Sequence, residues 1–475
     1  MVLVNAKMGL CCMEIINFVD EYIAWGPHLI LLILGLGIFF SFKTGFIQLR
    51  GLKKGFKLLF GKNAKSEGEV SRFGALCTSL AATIGTGNIV GVASALSLGG
   101  PGALLWMVIA AFFGMALSYA EGVLAVKYRT KINGVIVGGP FYYIEQGLGK
   151  SFKIFAKIFA FCGTIAGTFG IGTLIQSNSI AASIQSFFKN DYKIITIANN
   201  SVSAELLICG IAISLAVALV IVGGIKRISK VAEFFVPFMT AIYLAASLTI
   251  IITNLNQLAT ALKLIVGSAF LPKSILGAAT GISFKAAMQM GVSRGVFSNE
   301  AGLGSAPIAA ATAKGSEPVE QGLVSMLGTF IDTVVLCSIT GIVLVVTDAW
   351  RLGDSRGVEI TAFAWKKGLP ISPTLCNFLL MLCLVFFAFS SIIGWNFYTE
   401  RCLAYLCGGK EKVIKLHRLF YIMAVFLGTF ISAPTVWSIA NIFNAFMALP
   451  NLLALLLLSP KVIYATKGYF IRNKL

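Results

Sequence analysis

The stretch Thr83-Ile84-Gly85-Thr86-Gly87-Asn88 lies inside an apolar run covering residues 73–98, and its reading decides the fold. In a membrane helix every backbone N–H and C=O must find a partner. Two glycines, two threonines and an asparagine at mid-depth admit two explanations. One is a close-packing seam of small residues between helices. The other is a helix that breaks inside the bilayer, where freed carbonyls hold a cation and freed N–H groups hold a carboxylate. The second describes a site for a zwitterion and an ion together.

The surrounding chain is that of a polytopic membrane protein. Its 475 residues are 57% hydrophobic and only 12% charged, with a mean hydropathy of +0.88, well beyond the range of a soluble domain. A net charge of +19 in a soluble protein points to nucleic acid; here Lys and Arg belong to cytoplasmic loops and no nucleic-acid partner is expected. Most of the ten cysteines, among them Cys77, Cys162, Cys209, Cys337, Cys376 and Cys383, fall in apolar runs as small hydrophobes, with no CxxC spacing. Only His28 and His417 supply imidazole, so a His-rich metal site or a Ser-His-Asp triad has little material. Glu14, Asp20 and Glu21 ahead of the first apolar run argue against a cleaved signal peptide.

About eleven runs are long enough to cross the hydrocarbon: residues 24–42, 73–98, 103–126, 152–188, 206–222, 231–252, 275–297, 319–346, 375–403, 419–431 and 436–458. Run 152–188 is too long for one straight crossing and holds Gly163, Gly167, Gly170 and Gly172, which predicts a tilted helix with close neighbours. The basic clusters at Arg50–Arg72, Lys127–Lys131, Lys226–Lys230, Lys410–Arg418 and Lys461–Lys474 alternate with the crossings. Positive-inside counting then puts the N-terminus outside and the C-terminus in the cytoplasm. With the first run set aside, ten remain as two sets of five. Each set opens with a glycine-interrupted span, at residues 83–88 and at 291–295, and the sets enter from opposite sides. This is an inverted repeat with its site at the midplane. The expected divisions are residues 1–72 for the N-terminal helix and basic loop, 73–253 and 254–460 for the two repeats, and 461–475 for a basic tail.

Polar residues at depth are the remaining clues. Gln176 and Asn178 sit mid-span, where amides bridge helices or reach a ligand. Ser390 and Ser391 place two hydroxyls side by side, which suits a hard cation if the broken helix is their neighbour and back-bonding to their own helix if it is not. Trp395, a turn later, needs an acceptor when buried. Asp332 is either functional or hydrogen-bonded to a nearby hydroxyl. Arg294 and Glu300 flank the second interruption and are able to pair, with a gating or anchoring role expected rather than direct substrate contact. Glu121, near a span end, reads as structural.

Four motifs carry a resemblance: Thr83-Ile-Gly-Thr-Gly-Asn-Ile-Val-Gly91, Gly138-Gly-Pro-Phe-Tyr-Tyr143, Arg294-Gly-Val-Phe-Ser-Asn-Glu-Ala-Gly-Leu-Gly-Ser-Ala-Pro307 and Phe389-Ser-Ser-Ile-Ile-Gly-Trp395. They resemble the alanine/glycine:cation symporters, sodium-coupled amino-acid carriers of bacteria and archaea. The resemblance implies an all-α, five-plus-five inverted-repeat (LeuT-like) fold with one additional N-terminal helix in the cell's inner (plasma) membrane. It implies that Thr86 and Gly87 meet a substrate carboxylate, that Gln176 contacts the amino acid and that Trp395 closes the pocket, with Phe284, Met288 and Gly291 also lining it. By analogy with the wider fold, carbonyls of Ala81, Ile84 and Phe387 join the Ser390 and Ser391 hydroxyls around sodium. The family more often has Thr in that pair, so sodium and proton coupling both stay open. A channel, or a membrane-embedded enzyme built on Asp332, are the readings from other classes; oligomeric state is not legible.

Overall fold

The computed structural model describes residue 19 and residues 24–61, 67–132, 134–188, 194–197, 200–270, 284–315, 317–353, 357–431 and 433–473. The expected features at Glu14, Asp20, Glu21 and residues 275–283 lie outside these. Helices dominate, with two short antiparallel hairpins, Thr130–Ile132 with Val135–Val137 and Ile194–Ile197 with Asn200–Ser203. In chain order the main helices are α1 (Pro27–Lys43), α2 (Arg72–Thr83), α3 (Val90–Gly99), α4 (Gly102–Lys127), α5 (Lys153–Phe169), α6 (Leu174–Phe188) and α7 (Ala204–Ile221). They continue with α8 (Gly224–Thr253), α9 (Leu255–Phe270), α10 (Phe284–Asn299), α11 (Pro318–Val346), α12 (Pro373–Leu406), α13 (Glu411–Gly428) and α14 (Ala433–Arg472).

Among the described residues seven helices are long and apolar enough to cross a membrane, or eight when α2 and the segment through α3 count as one bent span. The other three expected spans take different forms. They are the 17-residue α1, the 16-residue α10, and α13, whose first turns carry Glu411, Lys412, Lys415 and Arg418. The long run near residue 170 counts as one 39-residue span, Lys150–Phe188, whose helical hydrogen bonding is interrupted between the end of α5 at Phe169 and the start of α6 at Leu174. Helix α9, absent from the sequence count, packs against the start of α4, where the Trp106 indole donates to the Ala269 carbonyl at 3.2 Å. The expected tail is helical as far as Arg472, because Val462, Thr466, Tyr469 and Phe470 continue a buried stripe at helical spacing.

Close helix contact is made by small residues, as membrane packing requires. A Cβ on Gly122 of α4 would lie 2.5 Å from Ser325 Oγ of α11, and one on Gly322 of α11 would lie 2.8 Å from the Tyr119 carbonyl of α4. At one end of the bundle Arg72 pairs with Glu320, Arg472 with Glu317 at 3.2 Å, and Lys54 lies over the Tyr469 ring at 4.3 Å. Arg129 donates there to the carbonyls of Glu67, Ala311, Ala313 and Gly315. These basic side chains thus gather at one end and tie the first residues of α2 and α11 together.

Candidate functional site

Helix α2 is capped by Ser71, whose Oγ accepts the Gly74 N–H at 2.8 Å, and it stops after twelve residues. The chain then runs through Ile84 and Gly85 into a 3-10 turn over Thr86–Asn88, and α3 leaves at 62° to α2. The cause is local. In a continuous helix the Gly85 N–H would close onto the Ala81 carbonyl. It is instead donated to Asn88 Oδ1 at 3.0 Å. Asn88 turns its other edge outward, and Nδ2 donates to the Asp332 backbone carbonyl at 3.1 Å and to Asp332 Oδ1 at 2.7 Å.

Asp332 stands in a π-helical segment, Phe330–Cys337, within α11. Such widened turns recur at functional sites because they redirect side chains. Its Oδ2 accepts from Ser298 at 3.0 Å and from Thr333 at 2.7 Å, so the carboxylate joins α3's leading turn, α10 and α11. Asp332→Ala takes the acceptor from the buried Ser298 and Thr333 hydroxyls and leaves the Asn88 amide only the backbone carbonyl. At roughly 1–3 kcal/mol for each unsatisfied group, the purified variant is expected to lose on the order of 3 kcal/mol of stability, read as a lowered thermal midpoint in detergent. An unchanged midpoint would show that Asp332 does not hold the break.

On the other side of the break the Ile84 carbonyl faces α12. Ser390 Oγ lies 3.5 Å and Ser391 Oγ 3.4 Å from it, and the two hydroxyls lie 2.9 and 3.1 Å from the Phe387 carbonyl. Both serines therefore back-bond to their own helix and also reach the broken one. Oxygens about 2.4 Å from a shared hard cation, set at right angles, lie ~3.4 Å apart. The two separations to the Ile84 carbonyl match that spacing, while those to the Phe387 carbonyl are hydrogen-bond distances, and the Ala81 carbonyl, fully buried, lies one helical turn before Gly85.

Gln176 reaches the break as well. A Cβ on Gly85 would lie 3.4 Å from both its Nε2 and its Oε1. Nε2 donates to the Ile171 carbonyl at 3.1 Å, whereas Gln176 Oε1 and Thr86 Oγ1 are buried with no hydrogen-bond partner among the described residues. Two unsatisfied polar atoms beside a helix break offer partners to a polar ligand or a water. Asn178 does not join them; it donates to the Ile431 carbonyl at 2.6 Å and ties α6 to the segment that follows α13.

Trp395 is 1% exposed and seated by glycines: a Cβ on Gly172 would lie 2.6 Å from Trp395 Cβ, and one on Gly167 2.8 Å from its Cε3. Its Nε1 donates to Glu300 Oε1 at 3.0 Å. The second oxygen of Glu300 accepts from Ser305, so both oxygens of the carboxylate that sequence proximity offers to Arg294 are engaged by Trp395 and Ser305. Arg294 lines a separate cavity of about 210 Å³ with Trp25, Gln289, Ser293 and Asn441.

The remaining expected residues lie further along α10. Ser298 is the α10 residue that meets the break: a Cβ on Gly87 would lie 3.3 Å from its Cα. Phe284 is fourteen positions earlier in the helix, about 21 Å along the axis, half exposed and edge-on to Trp106 at 5.5 Å. Gly291 packs on α4, where a Cβ would lie 2.3 Å from the Ala103 carbonyl, and Met288 is partly buried. The structure brings Ile84, Thr86, Gly87, Gln176, Phe387, Ser390 and Ser391 to one locus, with Trp395 on the same stretch of α12; it does not bring Phe284, Met288 and Gly291 there. Asn88, Ser298 and Thr333 went unassigned in the sequence. Their signal was an Asn closing the glycine cluster and a Ser-Asn-Glu run closing the second interrupted span.

The bent span, the π-widened partner helix and the buried polar locus between them define a multi-pass membrane transporter. The sequence profile of the Sodium:alanine symporter family matches residues 10–475. The Sodium/alanine symporter AgcS of Methanococcus maripaludis is 45% identical over 464 residues, 96% of this chain and 97% of that one. The "Probable sodium/glutamine symporter GlnT" of Bacillus subtilis is 37% identical over 453 residues, 95% of this chain and 89% of that one. The chain belongs to the Sodium:alanine symporter family. Among solved structures, MhsT in complex with L-phenylalanine shares the fold with a TM-score of 0.55 at 13% identity, covering 84% of this chain and 98% of that one.

Proposed function

We propose that the protein is a secondary active symporter that couples inward sodium movement to uptake of a small neutral amino acid, alanine or glycine, by alternating access. The observation that carries this reading is the Ile84 carbonyl, which lies 3.5 and 3.4 Å from the Ser390 and Ser391 hydroxyls while the next residue, Gly85, stands beside the Gln176 amide. An ion on one side of the break and a zwitterion on the other would share its freed peptide groups. Sodium is held by the carbonyls of Ala81, Ile84 and Phe387 with the two serine hydroxyls. The substrate carboxylate meets Thr86 and Gly87, its ammonium meets Gln176 Oε1, and Trp395 closes over it.

The wider frame of this proposal is eleven spans as a five-plus-five inverted repeat with one additional N-terminal helix. The N-terminus lies outside and the basic face in the cytoplasm. The similarity to a sodium/alanine symporter supports the substrate and the ion; the similarity to a sodium/glutamine symporter makes a larger neutral side chain the competing substrate. One charge moving through 100 mV supplies ~2.3 kcal/mol and a tenfold sodium gradient about 1.4 more. One ion then sustains an accumulation of several hundred-fold.

The test is uptake of radiolabelled alanine and glutamine into proteoliposomes with sodium, lithium and pH gradients imposed separately. The expected result is accumulation of alanine above its external concentration under a sodium gradient alone. Uptake that only equilibrates, whichever gradient is imposed, would identify a pore and end the symport reading. Accumulation driven by the pH gradient alone would assign the coupling to protons.

A further inference from the structure

Trp395 is placed by three contacts, of which one is polar. Gly167 and Gly172 leave a slot that its ring fills, Tyr398 sits edge-on at 5.5 Å, and its single polar atom ends on Glu300 Oε1 at 3.0 Å. The carboxyl oxygen gives the buried indole N–H the acceptor it needs. Without it, the buried N–H has no comparable reason to keep the ring in one rotamer.

Glu300 is itself held with unusual firmness. It is one of three non-glycine residues among those described with positive φ, at +56°, a backbone conformation kept where the surroundings impose it. The turn it opens contains Gly302 and Gly304, at φ +82° and +84°. That turn is moored from outside. Glu121 Oε1 accepts from the Gly304 N–H at 3.1 Å and from Asn451 Nδ2 at 2.7 Å, and Asn451 Nδ2 also donates to the Gly302 carbonyl at 2.9 Å. Tyr143 donates its hydroxyl to Asn451 Oδ1. The acceptor for Trp395, a residue of α12, is thus anchored on α4, on α14 and on the helix Pro140–Leu148.

We propose that Glu300 is a specificity-determining positioning residue: by accepting from Trp395 Nε1 it holds the indole across the substrate site and so sets the largest side chain admitted. The inference rests on the reading that Trp395 closes that site. Glu300 touches no substrate; it acts through the ring.

The experiment is inhibition of alanine uptake by glycine, alanine, valine, leucine and glutamine in proteoliposomes of the full chain. Glu300→Ala is expected to strengthen inhibition by valine, leucine and glutamine at least tenfold relative to alanine's own KM. Glu300→Gln, which keeps an acceptor oxygen, restores the original size profile. Trp395→Phe keeps a ring but loses the donor; it broadens the profile as Glu300→Ala does, and the two together broaden it no further. An unchanged profile in Glu300→Ala, additive effects in the double variant, or a Gln variant as permissive as the Ala variant overturns the proposal. Should Glu300→Ala fail to fold, Trp395→Phe decides it: an unchanged profile there overturns the proposal equally. Trp395→Ala separates the two levels, since unchanged alanine KM and size profile in that variant remove Trp395 from the substrate site altogether.

Discussion

Gly85→Ala is expected to reduce sodium-dependent uptake at least 100-fold at matched membrane expression. The added Cβ would lie 2.4 Å from Ser391 Oγ and 3.4 Å from both polar atoms of Gln176. The first of these distances is deep inside van der Waals contact, and the serine cannot withdraw without leaving the Ile84 and Phe387 carbonyls. One methyl group therefore disturbs the ion half-shell and the substrate side at once. Gly87→Ala meets Ser298 at 3.3–3.4 Å, contacts that yield with a small shift, and a loss of roughly tenfold is expected from narrower access to the peptide groups. Gly91 has open space around it and lies in α3, where alanine is the better helix former. Gly91→Ala is expected to transport normally. Equal losses at all three positions would mean that the helix, not the break, is what alanine damages; full activity in Gly85→Ala would remove the break from the mechanism.

The second large effect is on the ion. Removing both hydroxyls in a Ser390→Ala, Ser391→Ala double variant is expected to raise the sodium concentration for half-maximal uptake by on the order of 100-fold. Each interaction with a charged group is worth about 1.5–3 kcal/mol, or tenfold and more. Alanine KM measured at saturating sodium should move little, because the serines face the Ile84 and Phe387 carbonyls and not Thr86. Threonine at both positions keeps the oxygens and should restore the sodium dependence. If the double variant lost alanine affinity at saturating sodium and kept its sodium dependence, the assignment of the two sides would be reversed.

What the sequence could and could not convey follows from the kind of interaction involved. The break at residues 83–88 was legible because glycine, threonine and asparagine in hydrocarbon conflict with the need to satisfy every peptide group. Ser390, Ser391 and Gln176 were legible as polar atoms at depth. The partners of Asn88 were not, since Asp332 is 244 positions away and nothing local signals a pair at that separation. Glu300 misled for a related reason: Arg294 is near it in sequence, whereas its acceptor role is defined by Trp395, 95 positions on. Phe284, Met288 and Gly291 came from the resemblance, and the helical rise places them along a shaft whose far end, at Ser298, meets the break. Helix α9 escaped the span count because its 16 residues, apolar as they are, fall short of the roughly 20 that a crossing needs.

Sharing of one helix break by ion and substrate makes a thermodynamic demand that a single equilibrium measurement can meet. Alanine affinity of the purified protein is measured in potassium and again with increasing sodium, and sodium affinity is measured with and without alanine. A shared break predicts that sodium tightens alanine binding at least tenfold and that alanine tightens sodium binding by the same factor, since coupling between two ligands is reciprocal. Alanine affinity indifferent to sodium would contradict it.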